Sequence, residues 1–132
     1  LLFLKVRAER RFAQEPFHQG RQAVCVVRVE EGIGLLHQLP DPLAFWGEVK
    51  RLVRPGGAVF VVDLFRPASE AEARRIVAGA AGDADPVLKE DFYNSLLAAF
   101  SLEEVAVQLA DAGLPLAPRQ TSERHLTVSG TL

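Results

Sequence analysis

Two apolar, β-branched runs separated by a single helix constrain the fold more than any other feature of the sequence. The runs are residues 23–29 and residues 58–65. Their nearly continuous apolar character is typical of strands that are buried on both faces. Between them, Asp41 and Pro42 form a helix start, since aspartate accepts from the first amide groups and proline suits the first helical position. A strand, a crossover helix and a second strand predict a parallel pair.

Local end signals predict the remaining elements. Ser69 and Ser101 each precede a glutamate by three residues, as in a capping box, which predicts helices over residues 69–81 and 101–113. Asp85 and Pro86 open another helix between them. Residues 116–121 and 126–131 predict two strands joined by a short hairpin connection at residues 122–124. The predicted fold class is α/β, with a mixed sheet that has parallel strands and a terminal antiparallel hairpin.

Helical spacing also predicts which side chains face the core. In the first helix these are Leu43, Trp46, Val49 and either Val53 or Leu52. In the helix that follows Asp85 they are Val87, Phe92, Leu96, Leu97 and Phe100.

Composition excludes several classes of protein. A chain of 132 residues predicts one domain, and a net charge of −2 with a pI near 5.9 predicts neither nucleic-acid nor acidic-membrane binding. No apolar run is long enough to span a bilayer. The single cysteine, Cys25, excludes an internal disulfide framework and makes a reducing, cytoplasmic location the default. The histidines, His18, His37 and His125, lack metal-ligand spacing, so we expect no metal.

One stretch of sequence resembles a known family. Leu36-His37-Gln38-Leu39-Pro40-Asp41-Pro42 precedes the first helix, and Arg54-Pro55-Gly56-Gly57 follows it. This arrangement resembles the second half of a class I S-adenosylmethionine-dependent methyltransferase. Residues 91–96, 101–105 and 112–114 resemble the later helices of that family. Residues 119–125 resemble the closing hairpin of its small-molecule methyltransferases. The resemblance covers residues 34–132.

The resemblance implies a seven-stranded, Rossmann-like sheet in which residues 23–132 supply strands four to seven. It implies S-adenosylmethionine as the cofactor, Gly34, Leu35 and His37 as cofactor-binding residues, and a small molecule as the methyl acceptor. Strands one to three of the family carry a glycine-rich loop and a ribose-binding acid. Residues 1–22 are too few to supply these strands and show no clear periodicity. We therefore expect residues 1–132 to form a single, truncated methyltransferase-like domain.

Two details of this comparison leave alternatives open. His37 either lines the methyl-donor or substrate site or makes a structural hydrogen bond at the helix entry. Gly32 and Gly34 either form a flexible turn or correspond to the family's glycine-rich loop, although Leu36 stands where a third glycine is expected.

Asp63 and Arg66 are the candidate residues for chemistry. Both lie at the carboxyl end of the second predicted strand, the edge at which α/β sheets bind ligands. Asp63 is the candidate catalytic residue, which orients or deprotonates a substrate, or else it caps the following loop. Arg66 is the candidate substrate-binding residue, which holds an anionic substrate, or else it is a solvated surface side chain.

Two functions from different classes follow. The first is methyl transfer to an unidentified small molecule. The second is a non-catalytic methyltransferase remnant that acts as an interaction or self-association module. Without strands one to three, the strand over residues 23–29 has an exposed apolar edge, which favours pairing with another chain. The expected partner is a second copy of the chain or a polypeptide that carries the missing half.

Overall fold

The computed structural model describes residues 24–27 and 36–132, which form an α/β structure. Residues 1–22, Gly32, Gly34 and Leu35 lie outside the described residues, as do the outer residues of the predicted strand 23–29. The elements in chain order are β1 (Val24–Val27), the short 3₁₀ helix η1 (Leu36–Gln38), α1 (Pro42–Leu52), β2 (Ala58–Leu64), α2 (Glu70–Ala81), α3 (Pro86–Ala98), α4 (Leu102–Asp111), β3 (Leu116–Gln120) and β4 (His125–Thr131).

The described strands form one mixed sheet in the order β1-β2-β4-β3. β1 runs parallel to β2, with Val24 opposite Ala58 and Val27 opposite Val61. β4 lies antiparallel between β2 and β3, so the last strand of the chain is central and β3 is at one edge. The predicted α/β class and the closing antiparallel hairpin are confirmed.

The aspartate-proline helix starts are confirmed. Asp41 Oδ1 accepts a hydrogen bond from Leu43 N at 2.9 Å, and Asp85 Oδ1 accepts one from Val87 N at 2.8 Å. Each proline occupies the first turn, where its missing N–H costs nothing.

The two predicted capping boxes differ. At α4, Ser101 Oγ accepts from Glu104 N and Glu104 Oε2 accepts from Ser101 N, so the box is complete. At α2, Ser69 Oγ accepts from Glu72 N at 3.2 Å, but the Glu72 carboxylate accepts from Ala68 N at 3.1 Å. The reciprocal bond of α2 is thus displaced by one residue, and the helix still begins as predicted.

Helices cover both faces of the sheet. One cluster joins α1 and α4 to β2 and β4 through buried residues that include Trp46, Val61, Leu109 and Val128. A second cluster packs α2 and α3 on the opposite face, against Leu64. Side chains alternate between the faces of a strand, so Val61 and Leu64 lie on different faces of β2.

Two predicted core positions are wrong. Leu43 is 43% exposed and Val87 is 67% exposed. Each is the second residue of a helix. Phe45 in α1 and Tyr93 in α3 are buried instead.

The Arg54-Pro55-Gly56-Gly57 segment forms the turn between α1 and β2. Gly56 has a φ of 78°, a left-handed conformation that favours glycine. Gly56 N donates to Leu132 O, and Leu132 N donates to Gly57 O at 3.0 Å. The turn therefore joins the start of β2 to the end of β4.

No helix in the described part of the chain is both long enough and apolar enough to cross a membrane.

Candidate functional site

The candidate site lies at the edge of the sheet where the parallel strands β1 and β2 end. Asp63 is the last residue but one of β2 and is 5% exposed. Its Oδ2 accepts a hydrogen bond from Leu36 N at 2.8 Å, and its Oδ1 accepts one from Leu64 N at 2.6 Å. The buried carboxylate thus satisfies backbone donors in two separate segments.

Asp63 therefore holds the segment that leads into α1. Leu36 opens η1, is 1% exposed and packs in the cluster between the sheet and α1. The sequence favoured a cap on the loop after β2 as the structural role of Asp63. In the structure the carboxylate accepts one amide from the segment that follows β1 and one from Leu64 in β2. Direct contact between Asp63 and a substrate stays a prediction.

Arg66 lies just beyond β2, in a short connection to α2. Its backbone N–H donates to Phe100 O at 3.2 Å, close to the bridge between Phe65 and Phe100. Its guanidinium forms an ion pair with Glu104 Oε2 at 2.9 Å. The two side chains are 39% and 43% exposed, so Arg66 is accessible and has a carboxylate partner. Binding of an anionic substrate by Arg66 stays a prediction.

The surroundings of Glu104 stabilise its ionised form. Burial opposes its ionisation, but the Ser101 N–H bond and the Arg66 guanidinium together outweigh burial, and the pKa of Glu104 lies below its usual value. The capping box of α4 and the ion pair of Arg66 thus depend on the same carboxylate.

The candidate cofactor residues lie on either side of the boundary of the described region. Gly34 and Leu35 lie outside the described residues. His37 is the middle residue of η1, whose backbone continues from the Leu36 amide that Asp63 holds. The backbone of His37 therefore lies near the carboxyl end of β2, and its contact with a cofactor stays a prediction.

Sequence reasoning missed a pair of residues at the same edge. His125, the first residue of β4, is paired with Leu64, the last residue of β2. Ser122 Oγ lies 2.8 Å from His125 Nδ1. Burial and the charge of Arg124 lower the pKa of His125, while Asp63 acts in the opposite sense. The signal in the sequence is a serine three residues before a histidine at a hairpin connection, within the segment 119–125 that resembles a closing hairpin.

Among residues 24–27 and 36–132, no group of three or more histidine, cysteine, aspartate or glutamate residues is arranged to hold a metal ion.

No protein-family model matches the chain, and no curated protein or solved structure matches it either.

Proposed function

We propose that the chain is the carboxyl-terminal half of a class I S-adenosylmethionine-dependent methyltransferase domain that acts on a small molecule. The observation that carries the proposal is the position of the Leu36–Pro42 motif. The motif forms η1 and the start of α1, and Asp63 holds its first amide at the edge where β1 and β2 end. α/β sheets bind their ligands at this edge.

The strand arrangement supports the same proposal. The resemblance implies a parallel crossover pair followed by a closing antiparallel hairpin. β1 and β2 run parallel across α1, and β3 and β4 form the hairpin. The turn with Gly56 occurs between α1 and β2, where the resemblance requires it.

The resemblance assigns one wall of a cofactor site to residues of this chain. By resemblance, Gly34, Leu35 and His37 would contact S-adenosylmethionine, and Asp63 would fix the backbone beside them through Leu36 N. The cofactor supplies an electrophilic methyl group, so the protein mainly aligns the acceptor and excludes water. The described residues contain no counterpart of the family's glycine-rich loop or ribose-binding acid. The proposal therefore requires that this chain binds the cofactor without a second polypeptide.

Arg66 supports an anionic or carboxylate-bearing methyl acceptor. Its guanidinium is more than one third exposed, and its ion pair with Glu104 contributes only about 0–1 kcal/mol, as exposed pairs do. A ligand carboxylate can replace that of Glu104 at small cost. Asp63, if it reaches the acceptor, would take up the proton that a hydroxyl or amine loses.

The direct experiment is calorimetric titration of the purified, folded chain with S-adenosylhomocysteine, the reaction product. We expect saturable binding with one site per chain. A thermal unfolding transition recorded on the same sample establishes that the chain is folded. A folded chain that gives no binding heat contradicts the proposal that this chain holds the cofactor.

A matched pair of variants localises the site. His37→Ala should weaken binding by about tenfold, the loss expected for one good hydrogen bond or wall contact. Gln38→Ala changes the adjacent, exposed residue of η1 and should leave the affinity within about twofold. Equal affinities for the two variants would show that His37 does not contact the cofactor.

A second function, an interaction or self-association module, is favoured by the position of β1. In the described part of the sheet, β1 is an edge strand that pairs with β2 alone. Its sequence is Val-Cys-Val-Val, without the charged residues or prolines that protect edge strands. Parallel strands of this composition occur mostly within sheets.

Sedimentation velocity over a range of protein concentrations tests this alternative. Self-association through β1 should be weakened by Val26→Lys, since lysine on an edge strand disfavours pairing with another strand. Val107→Lys places the same charge on α4, where Val107 is 59% exposed, and should leave association unchanged. A folded chain that stays monomeric at all concentrations contradicts the self-association module. Cofactor binding by that monomer would favour the enzyme.

A further inference from the structure

The turn between β3 and β4 is held by one serine hydroxyl. Ser122 Oγ accepts hydrogen bonds from Arg124 N at 3.2 Å and from His125 N at 3.0 Å. The same oxygen lies 2.8 Å from His125 Nδ1. Two amide donors occupy both lone pairs of the oxygen, so its own hydrogen is the atom left to bond with Nδ1.

This arrangement selects the neutral form of His125. Nδ1 accepts the hydroxyl hydrogen, so the ring proton is on Nε2, a tautomer inferred from the hydrogen bonds. Protonation would place the Nδ1–H of His125 against Ser122 Oγ, which already accepts hydrogen bonds from two backbone N–H groups. One of the three bonds to Ser122 Oγ must then weaken or break.

Two charged groups act on the ring of His125, and the turn that carries it makes further charged contacts. Arg124 precedes His125 in the chain and opposes its protonation, whereas Asp63 in β2 favours it. Glu123 in the same turn pairs with Arg75 of α2 at 3.0 Å. The Arg124 guanidinium lies 5.9 Å from the ring centre of Phe92 in α3.

The turn is also joined to the candidate site. Phe65 N donates to Arg124 O at 2.8 Å, so the turn holds the residue that follows β2. Phe65 lies between Asp63 and Arg66 in the chain, two residues after the first and next to the second. A change in the turn would therefore act first on the backbone of Phe65.

We propose that the β3–β4 turn is a pH-sensitive latch, in which neutral His125 and Ser122 hold the turn that bonds to Phe65 after β2, and protonation of His125 loosens that turn. This device does not depend on the proposed methyltransferase function. The direction of the pH dependence of stability follows from the linkage between protonation and folding. Burial first and Arg124 second lower the pKa of His125 in the folded chain, so the stabilisation is complete above the usual value of 6.5. It is lost as the pH falls through the folded pKa.

Nuclear magnetic resonance tests the latch on the whole chain. The His125 ring resonances and the exchange protection factors of the amides of Arg124, His125 and Phe65 are recorded from pH 7.5 downwards. We expect protection to fall by about 2- to 12-fold, the range that one net hydrogen bond gives. Its midpoint should coincide with the titration of His125. Protection that stays constant while His125 titrates would overturn the proposal.

Three variants complete the test. Ser122→Ala should raise the pKa of His125, because the neutral ring loses its donor, and should lower amide protection at every pH. His125→Gln should make protection independent of pH over the same range. Ser129→Ala changes a serine in β4 that lies opposite Phe60, away from the turn, and should behave as the wild type. An unchanged His125 pKa in Ser122→Ala would also overturn the proposal.

Discussion

Replacing Asp63 by alanine tests whether this buried carboxylate fixes the edge of the sheet. The change removes the acceptor of the Leu36 amide, 27 residues away in the chain, and of the Leu64 amide. Both amides are backbone groups of buried residues, since Leu36 is 1% exposed and Leu64 is 5% exposed. Neither donor gains an equivalent partner when the side chain is truncated to a methyl group.

The expected loss is large for one substitution. A hydrogen bond to a charged group contributes about 1.5–3 kcal/mol, so two such bonds correspond to about 3–6 kcal/mol of unfolding free energy. The whole stability of a domain is about 5–15 kcal/mol. Asp63→Asn keeps one acceptor oxygen and turns an amide group towards the other donor, so it should lose at least about half of that amount.

Urea unfolding at neutral pH measures the loss. Asp41→Ala is the matched control, because Asp41 also accepts one backbone amide, but at an exposed helix start. That variant should lose about 1 kcal/mol, the usual value for a helix cap. If Asp63→Ala lost no more than Asp41→Ala, with an unchanged dependence on urea, the reasoning about buried backbone donors would be refuted.

Further predictions concern the helices, and urea midpoints check each of them. Trp46→Phe should cost about 2–3 kcal/mol, since Trp46 Nε1 donates to Gln108 Oε1 at 3.1 Å and the smaller ring leaves a cavity at a fully buried position. Ser101→Ala should cost about 0.5–2 kcal/mol through loss of the α4 cap. Glu104→Gln should be destabilising above the usual carboxyl pKa of 4.5, and the difference from wild type should disappear as the pH falls through the lowered pKa of Glu104. Gly113→Ala should cost about 1–2 kcal/mol, because Gly113 has a φ of 66°.

The helix starts were predictable because their causes are local. Asp41, Asp85, Ser69 and Ser101 each act on amide groups two or three residues away, so the interaction is visible in the sequence itself. Gly56 and its proline likewise mark a turn through their own backbone preferences. Local chemistry therefore identified where α1, α2, α3 and α4 begin.

The buried faces of the helices were less predictable. Helical spacing groups Leu43 with Trp46 and Val49, yet Leu43 is exposed and Phe45 is buried. Spacing defines which residues share a stripe, whereas the angle between helix and sheet decides which end of the stripe meets the core. That angle depends on long-range packing, which no local pattern contains.

The candidate site was predictable in position and not in contacts. The end of an apolar strand placed Asp63 at the ligand edge of the sheet. Its partner Leu36 is determined by how β1 and η1 approach β2, and the partner of Arg66, Glu104, lies 38 residues further along the chain. Ser122 and His125 meet because the hairpin closes between them. Each contact depends on tertiary structure that follows from the whole fold.

Asp63 and Arg66 differ in burial and in hydrogen-bond partners, and this difference indicates different roles. Asp63 is 5% exposed and accepts two short backbone bonds, so moving it towards a ligand would leave buried donors unsatisfied. Arg66 and Glu104 are 39% and 43% exposed, and an exposed ion pair exchanges partners for about 0–1 kcal/mol. We infer that Arg66 is the residue that binds a ligand at this edge, whereas the main role of Asp63 is to position η1. Arg66→Gln should therefore bind a carboxylate-bearing substrate analogue more weakly and unfold at the same urea concentration as the wild type. Asp63→Asn should bind the analogue more weakly and also be less stable.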